Sequence, residues 1–320
     1  LGEIVIEARK AASEQAAAAK PLRLPPTPMQ VKRVLDEALI KSNVSYLYGC
    51  YATDVLRDEN GRLAGIVMAN RSGRQAVRAK AIVDATPRAT VARLAEAEFA
   101  PYPAGLSMFT RVVLGAPAID GLAARTLEGV MRSASDSGTA VTEFDAVEYS
   151  LEIPMADGTF ASFAKVEQAA RDMTWSARQV GASETLFQIP PDPMKGKKSF
   201  SGAWQGANAL DLDALRPANE SGLYVLGGCA DVSRETAKAM LAPLAFLKLG
   251  KSVGAAAAAE AKDAPVAKEI RVAGGKSDDA KFVNVSELLN GVRSFPSNAE
   301  RVKSFAQDRK STRLNSSHRT

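Results

Sequence analysis

The chain has 320 residues, of which 46% are hydrophobic and 24% charged, and its formal net charge is +5. Such a chain can bury a sizeable core and predicts one large or two medium domains. Its two cysteines, Cys50 and Cys229, exclude a disulfide framework. No uninterrupted apolar run reaches the roughly 20 residues that a transmembrane helix needs, so none is predicted.

The C-terminal residues change the argument from charge and from histidine chemistry. Residues 308–318 (DRKSTRLNSSH) resemble the translation of a sequencing-adapter oligonucleotide, so we interpret 308–320 as an artefact. This segment has four basic residues and one acidic residue; without it the net charge falls by three to +2, which does not favour nucleic acid as a partner. It also holds His318, the only histidine. Ser-His-Asp, Cys-His and histidine–metal chemistry are therefore excluded, and no metal site is predicted.

The first hundred residues predict a helix followed by several short strands. The helix is expected over 28–39, because its apolar residues fall on one face and Thr27 suits its N-cap. Strands are predicted at 44–48, 51–56, 63–69, 75–79 and 81–83, with hairpin turns at 58–61 and 71–73. A second helix is predicted at 88–98.

The rest of the chain gives a weaker pattern and then a clear one. Between 100 and 221 the sequence predicts strands at 108–114, 147–153, 186–189 and 202–204, and a helix at 160–180. Phe163 and Trp175 are expected in the core of this part. A strand at 223–226 and a long helix at 234–262 follow, and Pro243 should kink that helix or displace its start.

Two segments far apart in the chain carry the functional signal, 81–93 (AIVDATPRATVAR) and 223–231 (LYVLGGCAD). In each, a short apolar strand ends on small or acidic residues and leads into a helix. Parallel strands of nucleotide-binding sheets deliver backbone N–H groups and a helix N-terminus to a cofactor in this way.

With the series of strands between the first helix and 81–83, this order resembles FAD-dependent oxidoreductases with a glutathione-reductase-like cofactor fold, a group that includes fumarate-reductase-like and related bacterial flavoproteins. The resemblance covers 29–97 and 222–261. It implies an α/β fold, with a partial FAD-binding Rossmann-like domain, an inserted β-meander and a mixed α+β substrate domain. The implied activity is hydride transfer between a small organic substrate and flavin N5, with FAD as the cofactor.

The resemblance also implies a domain order. The partial FAD domain is expected at 1–99, the substrate domain at 100–221, and the closing strand and helix of the FAD domain at 222–262. Residues 263–307 would begin a further segment. Because Leu1 is not an initiator and no Gly-x-Gly-x-x-Gly loop follows a strand-like run, the chain is expected to be a fragment without its first βαβ unit, inactive alone.

The family's cofactor contacts carry over position by position as expectations. Ala52 matches the residue whose backbone faces the adenine, and Ala85 and Thr86 match a turn that packs on the dinucleotide. Gly227 and Gly228 match the strand end that the pyrophosphate and the ribityl chain approach, which requires residues without a Cβ.

The same carry-over gives the flavin end of the site. Asp231 would accept a hydrogen bond from a ribityl hydroxyl, and the helix that begins near Ala237 would direct its positive end at the flavin. Gly250 and Gly254 would let that helix lie close to the sheet. Pro87 departs from the family pattern, because glycine is usual there. No catalytic residue is predicted, and the candidate substrate-side groups are Arg111, Tyr149, Arg178 and Arg234.

Several alternatives stay open. Asp84 and Asp231 could each serve only as a helix cap, and Cys229 suits a small buried hydrophobe better than a redox thiol. The whole chain could be a catalytically inactive flavoprotein-like scaffold or binding module, a hypothesis motivated by Pro87 and by the missing histidine. A non-flavin α/β dehydrogenase is disfavoured, since a meander followed by a return strand is not expected in a simple dinucleotide domain.

Overall fold

The computed structural model describes residues 28–127, 131–134, 141–183 and 185–274. The expectations for Thr27, for 275–307 and for the artefact at 308–320 lie outside these residues. The helices are α1 (Pro28–Lys41), α2 (Thr90–Leu94), α3 (Phe160–Met173), α4 (Arg234–Met240) and α5 (Pro243–Asp263). The strands are β1 (Tyr51–Asp58), β2 (Leu63–Asn70), β3 (Gly73–Arg78), β4 (Ile82–Asp84), β5 (Gly105–Leu114), β6 (Ala124–Thr126), β7 (Met131–Ala134), β8 (Val141–Phe144), β9 (Ala146–Met155), β10 (Gly181–Ala182), β11 (Leu223–Val225) and β12 (Ile270–Val272). This mixture of helices and sheets confirms the α/β class.

The predicted meander is present as an antiparallel sheet in the order β12-β1-β2-β3. The turn between β1 and β2 forms because the Asp58 carboxylate accepts hydrogen bonds from the N–H groups of Asn60 and Arg62. Gly61 completes the turn at φ +80°, a conformation that glycine adopts without steric cost. Both hairpins predicted from the sequence are therefore confirmed.

The two segments that carried the functional signal lie side by side. β4 and β11 form a parallel pair, with Ile82 opposite Leu223 and Asp84 opposite Val225. Their apolar side chains enter a core cluster that also holds Val55 of the meander. The carboxyl ends of both strands therefore meet at one edge of the sheet, as in sheets that bind nucleotides.

The part between these two strands has its own antiparallel sheet, in the order β10-β5-β9-β6. The buried face of β5 and β9 packs with α3 in one cluster, to which Phe163 contributes as predicted. Trp175 is 69% exposed, so its predicted core position is wrong. The helix stops before it, where the Thr174 hydroxyl donates to the Ala170 carbonyl and the chain turns away.

Other predicted elements are shorter than expected or missing. Residues 44–48 form no strand, because no described segment pairs with them and their apolar side chains stay largely exposed. Residues 186–189 and 202–204 also form no strand, apart from one bridge between Phe187 and Thr110. The helix predicted at 88–98 is reduced to α2, because Ala89 and Glu96 on either side have left-handed backbones.

Pro243 breaks the long C-terminal helix, as predicted. α4 and α5 are bent by 89° at this break, and α5 has Pro243 in its first turn. Gly250 lies near the sheet, since a Cβ there would be 3.8 Å from Leu226 Cδ2, whereas nothing lies within 4 Å of a Cβ at Gly254. Only Gly250 therefore fits the expected close packing. Among the described helices none is long and apolar enough to span a membrane alone; only α4 and α5 together pass that test.

Candidate cofactor site

The turn after β4 is organised by one buried carboxylate. Asp84 is 1% exposed and accepts hydrogen bonds from the backbone N–H and the hydroxyl of Thr86 and from the N–H of Ala92. The Thr86 hydroxyl oxygen in turn accepts from the N–H of Thr90 at the start of α2. Asp84 thus caps α2, as one alternative proposed, and it holds the Ala85–Thr86 turn without needing an N–H from Pro87.

The loop after β11 is organised by a half-buried arginine. The guanidinium of Arg234 donates to four backbone carbonyls, two of them at 2.6 and 2.7 Å. The acceptors are the carbonyls of Pro190, Gly228, Ala230 and Val232. Burial lowers the pKa of Arg234 from its ordinary value. This arginine, predicted as a substrate-side group, has its hydrogen bonds inside the chain and fixes the direction of the loop carbonyls.

The same loop presents backbone donors without acceptors. Gly227, Gly228 and Cys229 are buried, and among the described residues their N–H groups have no hydrogen-bond acceptor. The carbonyls of Gly228 and Cys229 point instead at Arg234 and at the N–H of Met194. Buried N–H groups normally find a partner, and a row of them binds anions well. These donors fit the pyrophosphate of a dinucleotide such as FAD.

The two glycines of this loop differ in what lies next to them. A Cβ at Gly227 would be 3.5 Å from the Thr86 carbonyl oxygen, an ordinary contact. A Cβ at Gly228 would be 2.7 Å from Pro190 Cδ, which is too close. Gly228 is therefore required by the packing of Pro190 against the loop, while Gly227 stands between the two strand ends with room in front of it.

The remaining residues of the predicted site lie around this loop in different environments. Ala52 is half-buried and packs against the cluster that contains Cys229. Asp231 uses both carboxylate oxygens inside the chain, accepting from the Gly196 N–H at 2.9 Å and the Ser199 hydroxyl at 3.0 Å. Ala237 is buried in α4.

Of the two helices that follow the loop, α5 and not α4 begins without a side-chain cap, whereas the sequence suggested the helix near Ala237. At α4 the Ser233 side chain caps the first turn by accepting from the Thr236 N–H, so Asp231 is not its cap. α5, which is three times longer, begins at Pro243 after Ala242 and has no side-chain cap. The positive end of a long helix is stronger when no side chain caps it, so the start of α5 is a second candidate for the dipole that the sequence assigned to the helix near Ala237.

Cys229 lies at the centre of this region as a thiol without redox character. Burial raises the pKa of Cys229 to about 11, although Arg93 nearby acts in the opposite direction. Since the thiolate is the reactive form, the thiol stays protonated and inert at neutral pH. This agrees with the alternative that Cys229 is a small buried hydrophobe.

Sequence reasoning missed a charged cluster beside Cys229. Arg88 and Arg93 both donate to Oδ2 of Asp192, at 3.1 and 2.8 Å, and this carboxylate is 2% exposed. Arg88 also lies over the ring of Phe163 at 4.2 Å. Arg88 Nη1 and Asp192 Oδ1 are buried without a partner among the described residues. No local pattern could reveal this cluster, because its members come from distant parts of the chain.

The other candidate substrate-side groups differ in their hydrogen bonds and in their exposure. The Tyr149 hydroxyl donates to the Pro117 carbonyl and accepts from the Ile119 N–H, so it is structural. Arg178 is exposed. Arg111 is buried in β5.

The first part of the chain matches a known protein family. Residues 2–103 match the model of a family described as FAD dependent oxidoreductase, a match that includes the meander, β4 and the Asp84 turn. Residues 2–103 are thus similar to the FAD-dependent oxidoreductase family, which is the family that the sequence predicted, and FAD is the cofactor of that family. No curated protein has a matching sequence.

Solved structures of flavin enzymes resemble the chain weakly. CabE, an aromatic hydroxylase from angucycline biosynthesis, is 14% identical with a TM-score of 0.41, over 74% of this chain and 44% of CabE. Xcc4156, a flavin-dependent halogenase from Xanthomonas campestris, is 11% identical with a TM-score of 0.38, over 73% of this chain and 43% of the halogenase. The chain thus spans less than half of either protein. Likenesses at TM-scores this low establish neither a shared substrate nor a shared reaction.

Proposed function

We propose that the chain forms the closing half of the cofactor site of an FAD-dependent oxidoreductase, together with a substrate domain at 100–221. The observation that carries this proposal is the row of three unpartnered N–H groups at Gly227, Gly228 and Cys229, placed where two parallel strands end. When bound, FAD supplies hydride transfer at N5 with a small organic substrate.

The residues of this chain bind and orient in this proposal. The Gly227–Cys229 N–H groups donate to the pyrophosphate, and Arg234 keeps the loop carbonyls turned away from it. The Ala85–Thr86 turn, held by Asp84, packs on the dinucleotide, and Ala52 lies towards the adenine. Asp231, which already accepts two hydrogen bonds, is proposed to contact the ribityl chain through lone pairs that these bonds leave free.

The flavin ring would lie near the start of α5. The uncapped first turn at Pro243 places positive potential there, which would stabilise negative charge on the ring. Ala237 is buried in the preceding helix α4, where it would help to hold the helix next to the flavin site.

The test uses the visible spectrum of the protein expressed and purified from its complete reading frame, with two matched glycine variants. A flavoprotein would show bands near roughly 375 and 450 nm, from a ring whose electronics the protein tunes. Gly227→Ala should reduce FAD affinity by about tenfold or more, because the new Cβ obstructs the approach of the pyrophosphate. Gly254→Ala is the control, since that glycine is exposed and nothing lies within 4 Å of its Cβ. The two proteins should have similar circular dichroism spectra, because the Gly227 Cβ meets only an ordinary contact.

Equal FAD affinity in both variants would contradict the proposed position of the pyrophosphate. A colourless, well-folded wild-type protein that takes up no added FAD would support the alternative, a flavoprotein-like scaffold or binding module. That alternative is favoured by Pro190, which already fills the space in front of Gly228, and by the internal hydrogen bonds of Asp231.

A further inference from the structure

Arg111 is a buried cation in the middle of the sheet of the 100–221 part. It lies on β5 opposite Tyr149 of β9, and it is 6% exposed. Its neighbours on the same face of β5 are Phe109 and Val113, both almost fully buried. The guanidinium is therefore surrounded mainly by apolar groups of the cluster that packs with α3.

The chain satisfies little of the hydrogen-bonding capacity of this guanidinium. Its only hydrogen bond among the described residues runs from Nη1 to the Ser183 carbonyl at 3.4 Å, near the limit for such a bond. Nε is buried and has no partner in the part of the chain that the structure describes. Nη2 makes no hydrogen bond with a described residue either. The Nε–Nη2 edge of the guanidinium is thus the free edge.

Nor does a described carboxylate neutralise the charge. No oxygen of an aspartate or glutamate in the described part lies within 4.0 Å of the Arg111 guanidinium. The nearest charges that act on it belong to α3, where Arg171 opposes its protonated form and Glu167 favours it. Glu167 is itself paired with Arg171, at 3.7 Å. Burial lowers the pKa of Arg111 from its ordinary value, with repulsion by Arg171 as a smaller cause.

A buried, unpaired guanidinium is costly, and arginines in protein interiors are normally paired with an anion. The free Nε–Nη2 edge offers two parallel N–H groups in one plane. This edge matches the two oxygens of a carboxylate, which an arginine binds through two parallel hydrogen bonds. A single-atom anion or a neutral carbonyl would use only part of it.

We propose that Arg111 anchors a carboxylate-binding site in the 100–221 part, which makes the substrate class of the enzyme a small organic acid. The assignment of the bound carboxylate as a substrate rests on the proposed flavin function, whereas the carboxylate site itself does not. Two sources of the carboxylate share this chemistry, a small molecule and an acidic side chain of the chain outside the described residues, such as Glu184. The geometry favours the small molecule, because every described acidic group leaves this edge free.

The experiment measures thermal unfolding of the full chain in sodium acetate and in sodium chloride at equal ionic strength. Acetate is the probe, because it is small enough to enter any site that accepts a carboxylate. Wild type should unfold at a temperature higher by about 2 °C or more in acetate. Arg111→Met and Arg111→Lys should both lose this difference, because lysine keeps the charge but not the two-pronged edge. Arg125→Met, which removes an exposed cation from the same sheet, should retain it.

A second readout does not depend on the probe. In chloride, Arg111→Met should unfold at the same temperature as wild type or higher, because an apolar side chain replaces an unpaired buried charge. The proposal is overturned if Arg111→Met and Glu184→Gln each lower the unfolding temperature by the same amount and the double variant lowers it no further. That result would show an internal partner of Arg111. The proposal also fails if wild type shows no difference between acetate and chloride, or if Arg111→Met keeps that difference. Absorbance near 450 nm, recorded on the same samples, reports separately whether the flavin proposal holds.

Discussion

The Asp84 turn and the Arg111 strand both bury a charged side chain, but they differ in how the chain treats it. Asp84 receives three hydrogen bonds from groups within eight residues, so its charge is used to build a turn. Arg111 donates one long hydrogen bond and has no counter-charge among the described residues. A buried charge whose hydrogen bonds come from its own chain has a structural role. A buried charge without such hydrogen bonds indicates a ligand site.

The largest effect is expected when the satisfied charge is removed. Asp84→Ala leaves the N–H groups of Thr86 and Ala92 without their acceptor in a buried place, so the free energy of unfolding should fall by about 3 to 5 kcal/mol. Urea denaturation followed by circular dichroism measures this change. Asp84→Asn keeps one acceptor oxygen and should lose less; equal losses in the two variants would contradict the assigned role of the carboxylate.

Arg234 extends the comparison to a half-buried cation that the chain does satisfy. Arg234→Met removes hydrogen bonds to four carbonyls, and we expect a loss of about 2 to 4 kcal/mol in the free energy of unfolding. The freed carbonyls should also reduce FAD uptake, measured by absorbance at equilibrium. Arg178→Met is the matched control for stability, because Arg178 is exposed. A stable Arg234→Met protein would remove the contrast between Arg234 and Arg111.

The smallest effect concerns Cys229, an ionisable group that is buried in its neutral form. The pKa of its thiol is raised from 9.0 to about 11 in the folded protein, so the two states differ only when the unfolded thiol ionises. Stability should therefore be unaffected below pH 9 and should decrease as the pH rises from about 9 to 11. Cys229→Ala should show a shallower decrease over that range in urea denaturation. Identical slopes would mean that the thiol is not buried in its neutral form.

The sequence predicted those parts of the fold that depend on neighbouring residues. The turn at 58–61 follows from local turn chemistry, and the helix α1 follows from one-sided apolar spacing. The strand ends at Asp84 and Gly227 were recognisable because small and acidic residues follow apolar ones at once. Residues 44–48 were misassigned because an apolar, β-branched run becomes a strand only when another strand pairs with it.

The candidate site was predictable in position but not in its internal contacts. The sequence placed Gly227 and Gly228 together, yet only the structure shows that Pro190 packs against one of them. The pairing of Arg88 and Arg93 with Asp192 joins segments about a hundred residues apart, as do the contacts of Arg234 with Pro190 on a shorter scale. Such contacts depend on tertiary packing, which local patterns do not encode.

The parallel pairing of β4 with β11 has a consequence for the order in which the protein becomes functional. Ile82 and Leu223 stand on either side of the whole 100–221 part, so their pairing closes a very long loop. Loop-closure entropy opposes this step until the intervening residues have collapsed, and contacts of this range form slowly. During synthesis from the N-terminus, β4 therefore remains without its partner until β11 leaves the ribosome. Cofactor capture by this edge would then be one of the last events of folding, and a nascent chain that stops before Leu223 would have no site to fill.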